Sequence, residues 1–143
     1  MTDNNDRYFE LNRGVVFPAH CDHLGHMNVR HYAAFFDDAG FHLWNQIGVD
    51  QKPLFESGLS LVVAKIEINY IHELRAGDLL VIDGAFRRVG NKSLGHHMRM
   101  FNAETRELCA TQDTVEVVFD LKSRRSAPMP DEIREILSRH VVS

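Results

Sequence analysis

An acid, three imidazoles and a thiol crowd into nine residues, His20-Cys21-Asp22-His23-Leu24-Gly25-His26-Met27-Asn28. The carboxylate of Asp22 is able to attack an electrophilic carbonyl or to take a proton from water, and His23 or His26 is able to orient it or to bind a substrate. The run ends where an amphipathic segment begins, so these groups stand at an expected helix N-terminus, where free backbone N–H groups and the helix dipole favour negative charge. An oxyanion developing on a substrate carbonyl would be held there. Each residue also has a plain structural reading. Asp22 complements the dipole, His23 and His26 are solvated or backbone-bonded loop imidazoles, and Asn28 caps the helix.

The same loop offers zinc-ligand types at His20, Cys21, His23 and His26, with His31 just beyond. A structural zinc module needs a second tight pair, and the adjacent His96 and His97 point to opposite faces if they lie in a strand. No metal is expected.

The helix that must carry this loop follows from spacing. Val29, Tyr32, Ala33, Phe36, Gly40, Leu43 and Ile47 recur at three- and four-residue steps, with Asn28 as N-cap and Gly48 as terminator. Phe35 and Phe41 lie off that stripe, so more than one surface should cover the helix. Ahead of it, Arg13 to Phe17 reads as a strand stopped by Pro18, and residues 1–10 read as a flexible N-terminus. After it, a connection with Pro53 leads to Leu59, where the period changes to two. Val62, Ala64, Ile66, Ile68 and Tyr70 alternate with Val63, Lys65, Glu67 and Asn69.

Arg75-Ala76-Gly77-Asp78 signals a turn, Gly90-Asn91 a tight hairpin and Asn102 to Arg106 a second turn. They separate strands over Leu79 to Val89, Lys92 to Phe101 and Leu108 to Phe119, an antiparallel meander with Leu59 to Tyr70 as its first neighbour. A basic, proline-bearing linker from Lys122 to Pro130 leads to a short helix at Asp131 to Leu137. One five-stranded antiparallel sheet must therefore wrap one long helix in an α+β domain spanning 11–143. Such a sheet leaves an edge and part of the helix bare, so a second copy is expected to cover them.

Composition bounds the partners. At 143 residues, with 44% hydrophobic and 25% charged residues, the chain has the make-up of one globular domain. A formal net charge of -4 argues against a nucleic-acid binder. No run is long and apolar enough to span a bilayer, and no secretory h-region opens the chain, so no membrane association and a cytoplasmic location are expected. Two cysteines, Cys21 and Cys109, fit free thiols in a reducing compartment.

The pattern Asp22-x-x-Gly25-His26-Met27-Asn28-x-x-x-Tyr32, opening a long helix after one strand, resembles the hotdog-fold acyl-CoA thioesterases of the 4-hydroxybenzoyl-CoA thioesterase type. The likeness runs from Arg13 to Leu137 and includes the strand train and the tail Arg124-x-x-x-Pro128-x-Pro130. It implies a hotdog fold and hydrolysis of an acyl-CoA, with Asp22 as the catalytic carboxylate and the backbone N–H of Val29 polarising the carbonyl. It also implies homodimers with shared active sites, often assembled into tetramers. His23, His26 and Asn28 stand where the benzoyl-type enzymes carry less polar residues, which leaves the acyl group open and brings a histidine role into play. One branch of the family carries its acid on the central helix, so Asp37 and Asp38 are backup candidates behind Asp22; Glu56, in the connecting loop, ranks below them.

Coenzyme A would arrive as part of the substrate rather than as a cofactor, and its phosphates call for Arg or Lys. Arg87, Arg88, Lys92 and Arg99, which flank the Gly90-Asn91 turn, are the expected partners, with Lys122, Arg124 and Arg125 as a second group. Two other functions use the same fold. A thioester hydratase or dehydratase would pair a histidine with an acid, but its Gly-Asp-x-Asn-Pro signature is absent. A non-catalytic acyl-CoA binder would hold ligand without releasing thiol.

Overall fold

The computed structural model describes residues 7–142. Its elements are β1 (Phe9–Val15), α1 (Val29–Gln46), α2 (Lys52–Glu56), β2 (Leu59–Tyr70), β3 (Leu79–Val89), β4 (Ser93–Asn102), β5 (Leu108–Asp120), the two-residue β6 (Arg125–Ser126) and α3 (Asp131–His140). All strand pairings are antiparallel, in the order β1-β3-β4-β5-β2, with β6 folded back onto the end of β5. This is the hotdog arrangement, a curled sheet on one long helix.

Several expectations shift. β1 begins at Phe9, so Phe9 and Glu10 belong to the sheet and not to a loose terminus, and the strand ends at Val15; residues 1–6 lie outside the described ones. Pro18 opens a single 3-10 turn, Pro18–His20. The connection around Pro53 contains the short helix α2, and α3 runs three residues past Leu137 to His140.

The largest change is at β2. It is separated from β3 by the loop 71–78, and it pairs along its whole length with β5, which makes it an edge strand. A bulge between Val63 and Lys65 breaks the expected alternation at Ala64. An extra residue in one strand flips the faces beyond it. Leu61 and Val63 therefore share the helix-facing side with Ile66, whereas unbroken alternation would have separated them.

In α1 the buried residues are Tyr32, Phe36, Ala39, Leu43 and Trp44. The stripe is rotated from the expected one: Val29 is exposed and Gly40 is only half-buried, because the sheet curls around one flank of the helix. Asn28 is the N-cap, and Gly48 takes the positive φ of +80° that releases the chain after the last turn. The core comprises α1's buried flank, Leu80, Ile82 and Phe86 of β3, Leu94, Met98 and Met100 of β4, and Leu137 of α3. No helix among the described residues is long and apolar enough to cross a membrane.

Candidate active site

The loop after β1 is fastened at both ends before it presents its acid. Val16 is fully buried and exchanges backbone hydrogen bonds with the turn below it: its N–H donates to Asp78 and its carbonyl accepts from Gly77. The 3-10 turn is closed by the Phe17 N–H, which donates to Nδ1 of His20 at 2.9 Å. From there the chain doubles back. Cys21 and Met27 face each other as a bridge, the Asp22 N–H donates to the His26 carbonyl at 3.1 Å, and the Gly25 N–H donates to the Asp22 carbonyl at 3.0 Å. Gly25 holds φ at +80°, where side chains other than glycine are strained. Buried Met27 then ties the loop to the strand-connecting segment, its N–H donating to the Leu74 carbonyl at 2.7 Å.

This reversal brings Asp22 against Asn28. The Leu24 N–H donates to Oδ1 of Asp22 at 2.9 Å and the Asn28 side-chain amide donates to Oδ2 at 3.0 Å. These two donors, the backbone amide first, hold the Asp22 carboxyl below the usual carboxylate range. Asp22 is therefore an anion at neutral pH. Asn28 is the hinge pin of the arrangement, because its Oδ1 accepts from the Arg30 N–H at 3.1 Å and so locks the same side chain to the helix.

The cap leaves one amide over. The Arg30 N–H is taken by the Asn28 side chain and the His31 N–H by the Asn28 carbonyl at 3.0 Å. The Val29 N–H has no acceptor among the described residues. Asp22 and Val29 line one cleft of about 260 Å3 together with His26, Tyr32, Tyr70 and Glu73. Tyr32 and Tyr70 meet edge to face, with centroids 5.1 Å apart, and burial pushes the Tyr32 hydroxyl up to about 12. It stays neutral and a hydrogen-bond donor throughout the working range.

His26 faces this cleft with Nε2 3.0 Å from Oε2 of Glu73. Glu73 escaped sequence reasoning because only the bridge between His26 and Arg75 brings it there, a pairing across about fifty residues that leaves no local signal. His23 is exposed and lies outside the cleft lining. Asp38 and Glu56 are exposed and away from it, while Asp37 borders a different cavity. Among the described residues no three His, Cys, Asp or Glu side chains are arranged to hold a metal ion.

The basic group is not brought to the cleft within one chain. β3 starts beside Val15 and carries Arg87 and Arg88 to the other end of the sheet, roughly 30 Å away at about 3.3 Å per residue. Arg99 forms a two-pronged pair with Asp83, at 2.8 and 2.7 Å, and stacks over Tyr8 at 3.9 Å. Arg87 donates to the Tyr8 hydroxyl and Arg88 to Ser93, while Lys92 is exposed at the hairpin tip.

Comparison with known proteins bears on this geometry. The family model described as the thioesterase-like superfamily matches residues 16–137. A betainyl-CoA thioesterase of Pseudomonas aeruginosa is 25% identical over 118 residues, covering 82% of this chain and 74% of its own. A Rhizobium meliloti protein, L-carnitine dehydrogenase/betainyl-CoA thioesterase, is 27% identical over 118 residues; the chain spans 24% of its length. Among solved structures, a 1,4-dihydroxy-2-naphthoyl-CoA thioesterase from Synechocystis superposes with a TM-score of 0.79 at 17% identity, over 92% of this chain and 96% of that one, a likeness of fold.

Proposed function

The chain belongs to the thioesterase-like superfamily; from that premise we propose that it is a thioester hydrolase and cleaves an acyl-CoA at the cleft between Asp22 and Val29. The observation that carries this reading is an ionised carboxylate pinned by Asn28 beside a helix N-terminal amide with no other acceptor. The names of the relatives that act on betainyl-CoA support coenzyme A as the thiol partner.

In the reaction the thioester carbonyl oxygen accepts from the Val29 N–H, which stabilises the charge that develops there. Asp22 either takes a proton from water as the water attacks, or attacks first to form an anhydride that water then opens. In both courses the C–S bond breaks, oxygen from water ends in the free acid, and the thiolate of coenzyme A leaves and is protonated. His26, held by Glu73, lines the same cleft and serves to orient water or substrate.

The enzyme acts as a homodimer. β2 presents an open edge, and Val63, Ile66 and Tyr70 on it are 48%, 46% and 51% exposed, as is 67% of Phe41 on α1. A strand edge with apolar side chains is covered most simply by its own copy. Two-fold antiparallel pairing of these edges sets the Tyr70 end of one protomer beside the Leu59 end of its partner. The hairpin at Lys92 lies at that end of the sheet, since the Val118 N–H donates to the Lys92 carbonyl and Leu59 pairs with Asp120. Basic residues remote from the cleft in one chain thus approach it from the other, where the phosphates of coenzyme A require them.

The test is a thiol-release screen over short, long and aromatic acyl-CoAs, run beside Asp22→Asn. Turnover on at least one substrate that drops by roughly 10^3-fold or more in the variant, with an unchanged melting temperature, is expected. A fully active Asp22→Asn would remove the assignment.

A further inference from the structure

The inner face of the sheet, which should be apolar where it meets α1, carries a polar strip. His96 of β4 lies opposite Thr114 of β5, with Gln112 and Glu116 on either side of Thr114 on the same face. His96, Gln112 and Thr114 are 3%, 2% and 3% exposed. With Asp37, Gly40 and Trp44 of α1 they line a cavity of about 100 Å3.

Some of these groups are paired and some are not. Oε2 of Glu116 accepts from the Trp44 indole N–H at 3.1 Å, and the Gln112 side-chain amide donates to the Thr114 hydroxyl at 3.0 Å. Oε1 of Gln112 and both ring nitrogens of His96 are buried without a hydrogen-bond partner. Nε2 of His96 stands 3.5 Å from Oε1 of Glu116 without making a hydrogen bond. Three such atoms around one space are costly unless something in it completes them. Across the two antiparallel strands His96 and Gln112 are diagonal neighbours, roughly 7 to 8 Å apart at the backbone, so one small group between their side chains reaches both. The helix leaves room there as well, since a Cβ on Gly40 would meet no atom within 4 Å.

The orphaned atoms select the chemistry. With one proton on its ring, His96 offers one donor and one acceptor, and Oε1 of Gln112 adds an acceptor. A hydrocarbon end would leave all three unpaired. An ammonium has no acceptor, so it cannot answer the His96 N–H. A carboxylate would stand against Glu116 and Asp37, which border the same cavity. A hydroxyl donates to Oε1 of Gln112 and accepts from the His96 N–H at once. We propose that this cavity recognises a neutral hydroxyl group at the far end of the substrate's acyl chain, with His96 and Gln112 as the specificity-determining residues. The inference rests on the acyl-CoA thioesterase reading and specifies its substrate class.

The acyl chain has two routes to such a cavity. Along α1 of the same protomer it lies about 10 to 16 Å from Val29, at about 1.5 Å per residue to Phe36 and Gly40. Its β2 wall, Leu61, Val63 and Ile66, is at the sheet edge, and pairing of the β2 edges as proposed brings the partner's cavity to the Tyr70 end of the cleft. The length of chain that is recognised reports which route is used.

The experiment measures thiol release by the full chain on two pairs of acyl-CoAs in which a methyl replaces a terminal hydroxyl. One pair is ω-hydroxyhexanoyl-CoA and heptanoyl-CoA; the other is ω-hydroxydecanoyl-CoA and undecanoyl-CoA. At one length the hydroxyl-ended member is expected to be favoured by roughly 10-fold or more in kcat/KM, through KM. His96→Leu takes away no hydrogen bond that the protein makes itself, so it should fold and bring the ratio to one or below. Gln112→Leu lowers the same ratio and serves if His96→Leu does not fold. Equal turnover of both members at both lengths, or a preference for the methyl, overturns the proposal and leaves bound water as the occupant of the cavity. A ratio that the folded variant keeps at the wild-type value overturns it too. If no acyl-CoA is hydrolysed, the thioesterase reading fails on its own, and calorimetry with the same uncleaved esters decides the cavity. Roughly 10-fold tighter binding of a hydroxyl-ended ester, a margin that His96→Leu removes, sustains the hydroxyl site, and equal binding or none ends it.

Discussion

The two ends of the groove along α1 treat polarity in opposite ways. At the N-terminal end both oxygens of Asp22 are held by donors, the cap residue serves two masters, and one backbone amide is left without an acceptor. Around Gly40 the reverse holds: His96 and Gln112 are deeper, yet both ring nitrogens of His96 and Oε1 of Gln112 have no hydrogen-bond partner. A group that must react has to be fixed before substrate arrives, because its geometry is what lowers the barrier. A group that must recognise gains specificity when the ligand supplies the missing partner, since a wrong ligand then leaves it unsatisfied.

The contrast is open to attack from both ends. After Asp22→Asn, the largest effect is expected from Val63→Asp, which places a charge on the exposed β2 edge proposed to meet a second protomer; the protein should sediment as a monomer and lose about 100-fold in kcat/KM. A monomer of full activity would detach both sites from the partner. Asn28→Ala removes the cap and one of the two donors to Asp22. About 1 kcal/mol of stability by denaturant titration and roughly 10-fold in kcat/KM should be lost together. Loss of stability alone would reduce Asn28 to a cap.

Gly40→Ala tests the other end in the opposite direction. The added methyl meets open space, so the helix should gain up to about 1 kcal/mol without a clash. A destabilised variant would mean that the cavity is filled by neighbouring atoms in solution. His23→Ala should change kcat/KM by less than about 2-fold, since the imidazole is exposed outside the cleft.

How much of this was legible in the chain follows the same divide. The turn of the Asp22 loop was readable because the features that set it are local: a cap at Asn28, a left-handed glycine at Gly25 and a helix starting at Val29 lie within eight residues, whereas its ties to Leu74 and Arg75 left no such signal. The cavity was not readable. His96 and His97 served only to argue against a metal, and which of them turns inward depends on pairing between β4 and β5. His97 went outward and found Asp113 at 2.7 Å, while His96 went inward and found no hydrogen-bond partner. Position relative to a turn likewise placed Arg99 among the expected coenzyme A partners, when Asp83 on the neighbouring strand pairs with it. The bulge after Val63 decided which β2 side chains face the helix, and alternation alone gives no hint of it.

The measurement closest to the central claim is the pH dependence of kcat/KM for thiol release, taken on wild type and on Asn28→Ala. The Asp22 pKa lies below its unfolded value, so any stability from its ionised form is present above that value and is lost as pH falls through the folded one. Activity in the wild type should therefore hold from neutral pH to below about 4 and fall only there, while the limb in Asn28→Ala moves upward because one of the donors to Asp22 is gone. An acid limb near 6.5 that Asn28→Ala leaves in place would show that an imidazole, and not the Asp22 carboxylate, is the working base.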